Sequence, residues 1–125
     1  MTNITITEFE NQRVEFTSRL GNGIALWKGN EPQIGSHYPV ELDIDDYFEW
    51  GINITLTKEE IPNISIIDNK LFFIAKIISY ESDGILVISL DDDVIFLDVS
   101  MAPNQGKYVS FSTLIDNVSL YPVEF

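Results

Sequence analysis

Between Tyr38 and Trp50 the chain reads Tyr-Pro-Val-Glu-Leu-Asp-Ile-Asp-Asp-Tyr-Phe-Glu-Trp, with carboxylates at Glu41, Asp43, Asp45, Asp46 and Glu49 and no lysine or arginine among them. A second base-free stretch, Ile77 to Gln105, holds Glu81, Asp83, Asp98 and the run Asp91-Asp92-Asp93. Alternate residues of a strand lie about 6.7 Å apart on one face. Glu41, Asp43 and Asp45 therefore form a file of like charge. Unit charges about 4 Å apart in water repel by roughly 1 kcal/mol, and like charges directly opposed in a sheet are destabilising. Three chemistries suit such a file: a solvated face or protected sheet edge, a cation site, or a surface for a basic partner. Edge protection usually mixes in lysine, and these stretches have none.

The cation reading is the weakest of the three. Asp43-x-Asp45-Asp46 and Asp91-Asp92-Asp93 supply hard oxygen ligands suited to Ca²⁺ or Mg²⁺. Neither has the glycine and distal glutamate of an EF-hand loop, and adjacent aspartates on a strand point to opposite faces. The sequence calls for no metal and no cofactor. Catalysis has as little support. The lone His37 precedes a strand, and no nucleophile elbow, phosphate-binding glycine loop or histidine-rich metal spacing is present. A basic protein partner remains, with Glu41, Asp43, Asp45, Asp46, Tyr47 and Glu49 as its first contacts and Asp91, Asp92 and Asp93 as its second. An exposed Tyr47 among acids suits the capture of arginine and lysine through charge-assisted bonds and cation–π contact.

The elements that must position these residues are strands. Isoleucine is abundant and alanine scarce, which favours sheet over helix. Gln12 to Leu20 alternates and reads as a half-buried strand; Gly21-Asn22-Gly23 reads as a turn, with Ile24 to Trp27 returning. Tyr38 to Ile44 is the clearest strand, with Tyr38, Val40, Leu42 and Ile44 on one face. Phe48 to Leu56 alternates again. Matching the faces of these two as a hairpin requires an odd loop, and Asp45-Asp46-Tyr47 provides it, pairing Ile44 with Phe48 and Asp43 with Glu49. Phe48 and Trp50 are expected in the core. Thr57 to Glu60 has the form of a capping box, limited to one helical turn by Pro62. Leu71 to Tyr80 reads as a strand buried on both faces and bulged. Ser82-Asp83-Gly84 is a turn. Ile85 to Leu90 and Val94 to Val99 form an acidic hairpin whose loop must be even, Asp92-Asp93 or Asp91 to Val94. Lys107 to Thr113 and Val118 to Glu124 complete the set.

One domain of all-β class follows, with no internal repeat evident: an antiparallel sandwich or partly open barrel of about eight or nine short strands. From Leu71 to Phe125 the strand order and lengths resemble an OB-type barrel without its helix, with residues 100–106 where that helix would sit. No run of apolar residues is long enough to span a bilayer. The start of the chain lacks the pattern of a secretory signal, and cysteine is absent. Together these lead us to expect a cytoplasmic protein. The net charge of −13 sets nucleic acid and anionic membranes aside as direct ligands. In size, charge and surface pattern the chain is similar to the immunity proteins that neutralise bacterial nuclease toxins. That resemblance implies a non-catalytic inhibitor that fills a basic, phosphate-binding cleft. The alternative is an OB-like binding module or assembly subunit whose acids only solubilise it.

Overall fold

A computed structural model describes residues 1–103 and 105–123. It contains twelve strands and one short 3₁₀ turn: β1 (Thr2–Glu10), β2 (Arg13–Ser18), β3 (Gly21–Trp27), β4 (His37–Ile44), β5 (Tyr47–Phe48), β6 (Ile54–Thr57), β7 (Asn63–Ile67), β8 (Lys70–Glu81), β9 (Ile85–Leu90), β10 (Asp93–Val99), β11 (Tyr108–Leu114), the turn Ile115–Asn117, and β12 (Val118–Pro122). The all-β class is as expected, with more strands than the alternation alone reveals. The predicted end of the last strand at Glu124 lies outside the described residues.

The strands close on themselves. β1, β2 and β3 form an antiparallel meander. β4 pairs with β1, and β12 lies between β4 and β3, antiparallel to the first and parallel to the second. The ring β1-β2-β3-β12-β4 leaves no free edge, the usual reason a small sheet becomes a barrel. Its interior is filled by Ile4, Ile6, Val14, Phe16, Val40, Leu42 and Leu120, all buried. Gly23 makes this closure possible. A Cβ there would lie 2.4 Å from the ring of Phe16 on the neighbouring strand, so the glycine admits the phenyl ring to the interior. The expected turn at Gly21-Asn22-Gly23 is therefore corrected: these residues already belong to β3, Ser18 pairs with Gly21, and the chain turns at Arg19-Leu20.

A second set of strands follows the order of the first without closing into a ring. β8, β9 and β10 form a meander, β11 pairs with β8, and the fifth position is filled by two pieces. β5 runs parallel to β10 and β6 runs antiparallel to β11. The OB-like C-terminal half thus requires correction. Its first four strands do form a barrel wall, but its last strand, β12, closes the other barrel. A structural repeat is present although the sequence shows none. β7 is additional; it covers the edge of β8 and touches β3 through Gly21 and Ile64. Gly21 has a φ of 133°, and a Cβ on it would stand 2.0 Å from the carbonyl oxygen of Ile64.

The predicted hairpin of 38–44 with 48–56 does not form. β4 is flanked by β1 and β12; Phe48 pairs with Val99 instead of Ile44, and Asp43 lies opposite Ser119 instead of Glu49. Phe48 is fully buried as expected, Trp50 is half-buried with its indole N–H donating to the Met101 carbonyl, and Ile52 is 77% exposed. Thr57 to Glu60 forms no helical turn; the Thr57 hydroxyl accepts from the Glu59 N–H. Leu71 to Tyr80 lies within one strand, but it is buried on both faces only up to Ala75, and Ile78 is 51% exposed. β8 carries a bulge between Ile77 and Ser79. The β9–β10 loop is even, although it is Asp91-Asp92, one residue before the predicted place.

The second set is anchored by aromatic packing. Phe111 stacks on Phe73 at 4.9 Å between centroids and meets Phe48 edge-on at 5.4 Å. Phe111→Ala should lower stability by about 3–5 kcal/mol, read as a lower urea midpoint with an unchanged denaturant slope. Gly21→Ala should also lower the midpoint, because the backbone of β7 must move away.

Candidate functional site

The alternation of β4 sends Val40, Leu42 and Ile44 inward and leaves Glu41 and Asp43 exposed. Across the strand pair these acids face Tyr121 and Ser119, so the file is real, but it adjoins β12 and not a second acidic strand. Beyond the strand its members diverge. Asp45 exposes its side chain, while its backbone N–H donates to the Asn117 carbonyl at 2.8 Å. Asp46 is partly buried; its carboxylate accepts from the Thr113 hydroxyl at 2.8 Å and from the Tyr47 N–H at 2.8 Å. Tyr47, 55% exposed, lies beside Asp98 of β10. Glu49 is exposed at a turn held by the Asn53 side chain, which accepts from the Glu49 N–H and donates to the Tyr47 carbonyl.

The second acidic run divides three ways. Asp91 adopts a positive φ at the loop and is ion-paired with Arg19. Asp92 is exposed. Asp93 is 6% exposed, accepts from the Thr2 hydroxyl at 2.6 Å, and pairs with the Met1 ammonium at 2.7 Å. Its hydrogen bond raises the pKa of that amino group above the ordinary value; partial desolvation opposes the shift, and the charges of Asp93, Asp92 and Glu41 reinforce it. The missing bases are thus supplied from sites far along the chain. Asp46, Asp91 and Asp93 are engaged within the fold. Glu41, Asp43, Asp45, Glu49 and Asp92 appear in none of the ion pairs among the described residues.

The fold brings the two acidic stretches together. β10 packs against β4. The Met1 ammonium feels the charges of both Asp93 and Glu41, Thr2 bonds Asp93, and Tyr47 meets Asp98 at the other end of β10. Asp98 thereby joins the surface. Its alternation on the strand was a signal for exposure, but a hairpin of 38–44 with 48–56 hid its contact with Tyr47. A separate open groove of about 830 Å³ also escapes sequence reading. It is lined by Glu8, Phe9, Glu10, Asn11, Arg13, Glu15 and Ile24. Glu8 and Glu15 are direct cross-strand neighbours there, and Arg13 is held by Asp116 at 2.6 Å.

His37 opens β4, and its Nδ1 lies 2.7 Å from the Thr5 hydroxyl. Among the described residues no group of three or more histidine, cysteine or acidic side chains is placed to hold a metal ion, and no helix is long and apolar enough to cross a membrane. No family model, curated protein or solved structure matches this chain.

Asp93→Ala should cost about 1–3 kcal/mol, because it leaves the buried Thr2 hydroxyl and the nearby ammonium without their acceptor. Asp92→Ala on the adjacent exposed position should change stability by less than about 0.5 kcal/mol. Chemical denaturation of the two variants side by side checks the contrast.

Proposed function

We propose that this protein is a non-catalytic acidic binding protein that neutralises a basic protein partner, in the manner of an immunity protein occupying the phosphate-binding cleft of a nuclease toxin. One observation carries the reading. Glu41, Asp43, Asp45, Glu49, Asp92 and Asp98 are exposed on or beside the adjoining strands β4, β5 and β10, and none is in an ion pair among the described residues. Like charges gathered on one surface weaken the fold that holds them. A cationic partner reverses the sign of that interaction. The exposed ring of Tyr47 beside Asp98 adds a platform on which an arginine or lysine can rest while its charge meets the carboxylate. Association with such a surface is steered by the field, fast at low salt and slowed by screening.

A second reading rests on the order β1-β2-β3-β12-β4, which is the order of an OB-type barrel. Barrels of that type bind ligands over the face of their second and third strands and the adjoining loops. On this chain that region includes Glu8, Glu10 and Glu15 around Phe9 and Ile24. Such a face repels phosphate chains and suits a cationic or uncharged ligand.

The test is capture from lysate of the source cells at low salt, with elution by a salt gradient. The control carries Glu41→Gln, Asp43→Asn, Asp45→Asn, Glu49→Gln and Asp92→Asn together and leaves Asp46, Asp91 and Asp93 intact. A basic protein retained by the natural chain, at least about tenfold more tightly than by the control, is the expected result. Equal retention by both forms refutes this surface as the partner site.

A further inference from the structure

The two sets of strands agree residue by residue. In the first, Thr5 pairs with Thr17 and Ile6 with Phe16, a bulge follows, and Glu8 pairs with Glu15, Phe9 with Val14 and Glu10 with Arg13. In the second, Lys76 pairs with Ser89 and Ile77 with Ile88, a bulge follows, and Ser79 pairs with Val87, Tyr80 with Leu86 and Glu81 with Ile85. The next strand keeps step: Arg13 meets Leu26 and Gly21 meets Ser18, as Ile85 meets Asp98 and Asp93 meets Leu90. Isolated backbone bonds coincide as well. Trp27 N–H donates to the Gln12 carbonyl and Val99 N–H to that of Gly84, both acceptors having positive φ. Ile6 N–H donates to Ser36 and Ile77 N–H to Lys107.

The fifth strands differ in continuity, β12 being one strand and β5 with β6 two pieces, and in where along the chain they come from. Leu26 and Trp27 of the first unit are paired, in parallel, by Ser119 and Leu120; their counterparts Asp98 and Val99 are paired, in parallel, by Tyr47 and Phe48. Lys28 N–H donates to Leu120 and Ser100 N–H to Phe48. Each unit therefore receives its fifth strand from the other. The two crossing segments touch where they pass: Asp45 N–H donates to the Asn117 carbonyl, the Thr113 hydroxyl to Asp46, and the Asn117 amide to the Thr113 hydroxyl.

We infer that this chain is a fused pair of one five-strand unit whose copies have exchanged fifth strands, so that each half is the docking partner of the other. Independent folds do not reproduce the same bulge, the same positive-φ acceptor and the same parallel fifth strand at matched positions. Exchange of an identical element is a recognised route to dimers, and here the dimer is covalent. The link between halves, Lys58 to Pro62, lies mostly exposed and outside every strand. The interlock does not depend on it, so the first half of one molecule also fits the second half of another copy.

Two experiments test this. The chain has no cysteine, so paired cysteines report neighbours directly. Leu26→Cys with Ser119→Cys, and Tyr47→Cys with Asp98→Cys, should each oxidise to an intramolecular disulfide. Leu26→Cys with Tyr47→Cys, and Asp98→Cys with Ser119→Cys, the pairs of an unexchanged arrangement, should not. The reverse outcome overturns the inference whatever the cleavage experiment gives. Second, a protease site placed over Lys58 to Ile61 is cut in the folded, full chain. The two fragments should remain one particle on native mass spectrometry and part only in urea. Labelled and unlabelled cut protein, mixed in urea and refolded, should give hybrid particles. Fragments that separate without denaturant, or parental masses alone after refolding, contradict it.

Discussion

The strand that each half takes from the other, β12 in the first and β5 with β6 in the second, is the constraint on which the rest of this structure depends. A four-stranded meander with a long return leaves two open edges. β12 fills the gap between β3 and β4, and β5 with β6 fills the gap between β10 and β11. The hydrophobic interior follows from these additions. Phe48, contributed by the first half, packs against Phe111 of the second, and Leu120, contributed by the second, is buried in the first. The crossing segments at Asp45–Asp46 and Ile115–Asn117 fix where acids can be free. Asp46 is engaged with Thr113 at the crossing, and Asp45 keeps its carboxylate in solvent.

The acidic surface divides accordingly into carboxylates that serve the fold and carboxylates that remain available. Asp93 ties the start of β1 to the start of β10, and Asp91 draws in Arg19 across the same end. Both are buried or half-buried ends of long-range contacts. The exposed acids stand on the outward positions of β4 and β10 or in the segments next to them, where the pleat offers nothing to neutralise them.

Alternation made much of this legible. The inward set Val40, Leu42 and Ile44, the outward set Glu41 and Asp43, the bulge in β8 and the parity of the β9–β10 loop all follow from a period of two. Partner identity does not. Parity permitted 38–44 to pair with 48–56, and nothing local to those residues says that Phe48 belongs beside Val99. The alternating Thr2 to Thr7, part of β1, carries a strand signal in its threonines and isoleucines. Asn63 to Ile67 gives only a weak strand signal, because Pro62 and Asp68 bracket so short a run. Burial of Asp93 could not be read from its neighbours, since its partners are Thr2 and Met1. The duplication was hidden for another reason. Positions equivalent by register share Ile6 with Ile77, Glu10 with Glu81 and Asp45 with Asp116, yet Phe16 falls on Ile88, Gly23 on Ile95 and Glu15 on Val87. What the halves have kept is register and hydrogen bonding, and neither is written in residue identity.

The place of β12 also sets the order of events on the ribosome. Strands β1 to β4 leave the exit tunnel with hydrophobic interior positions such as Val14, Phe16 and Leu42, but the strand that seals them is synthesised near the far end of the chain. The nascent first barrel stays an open, edge-exposed sheet throughout translation of the second, a state prone to pairing with other chains.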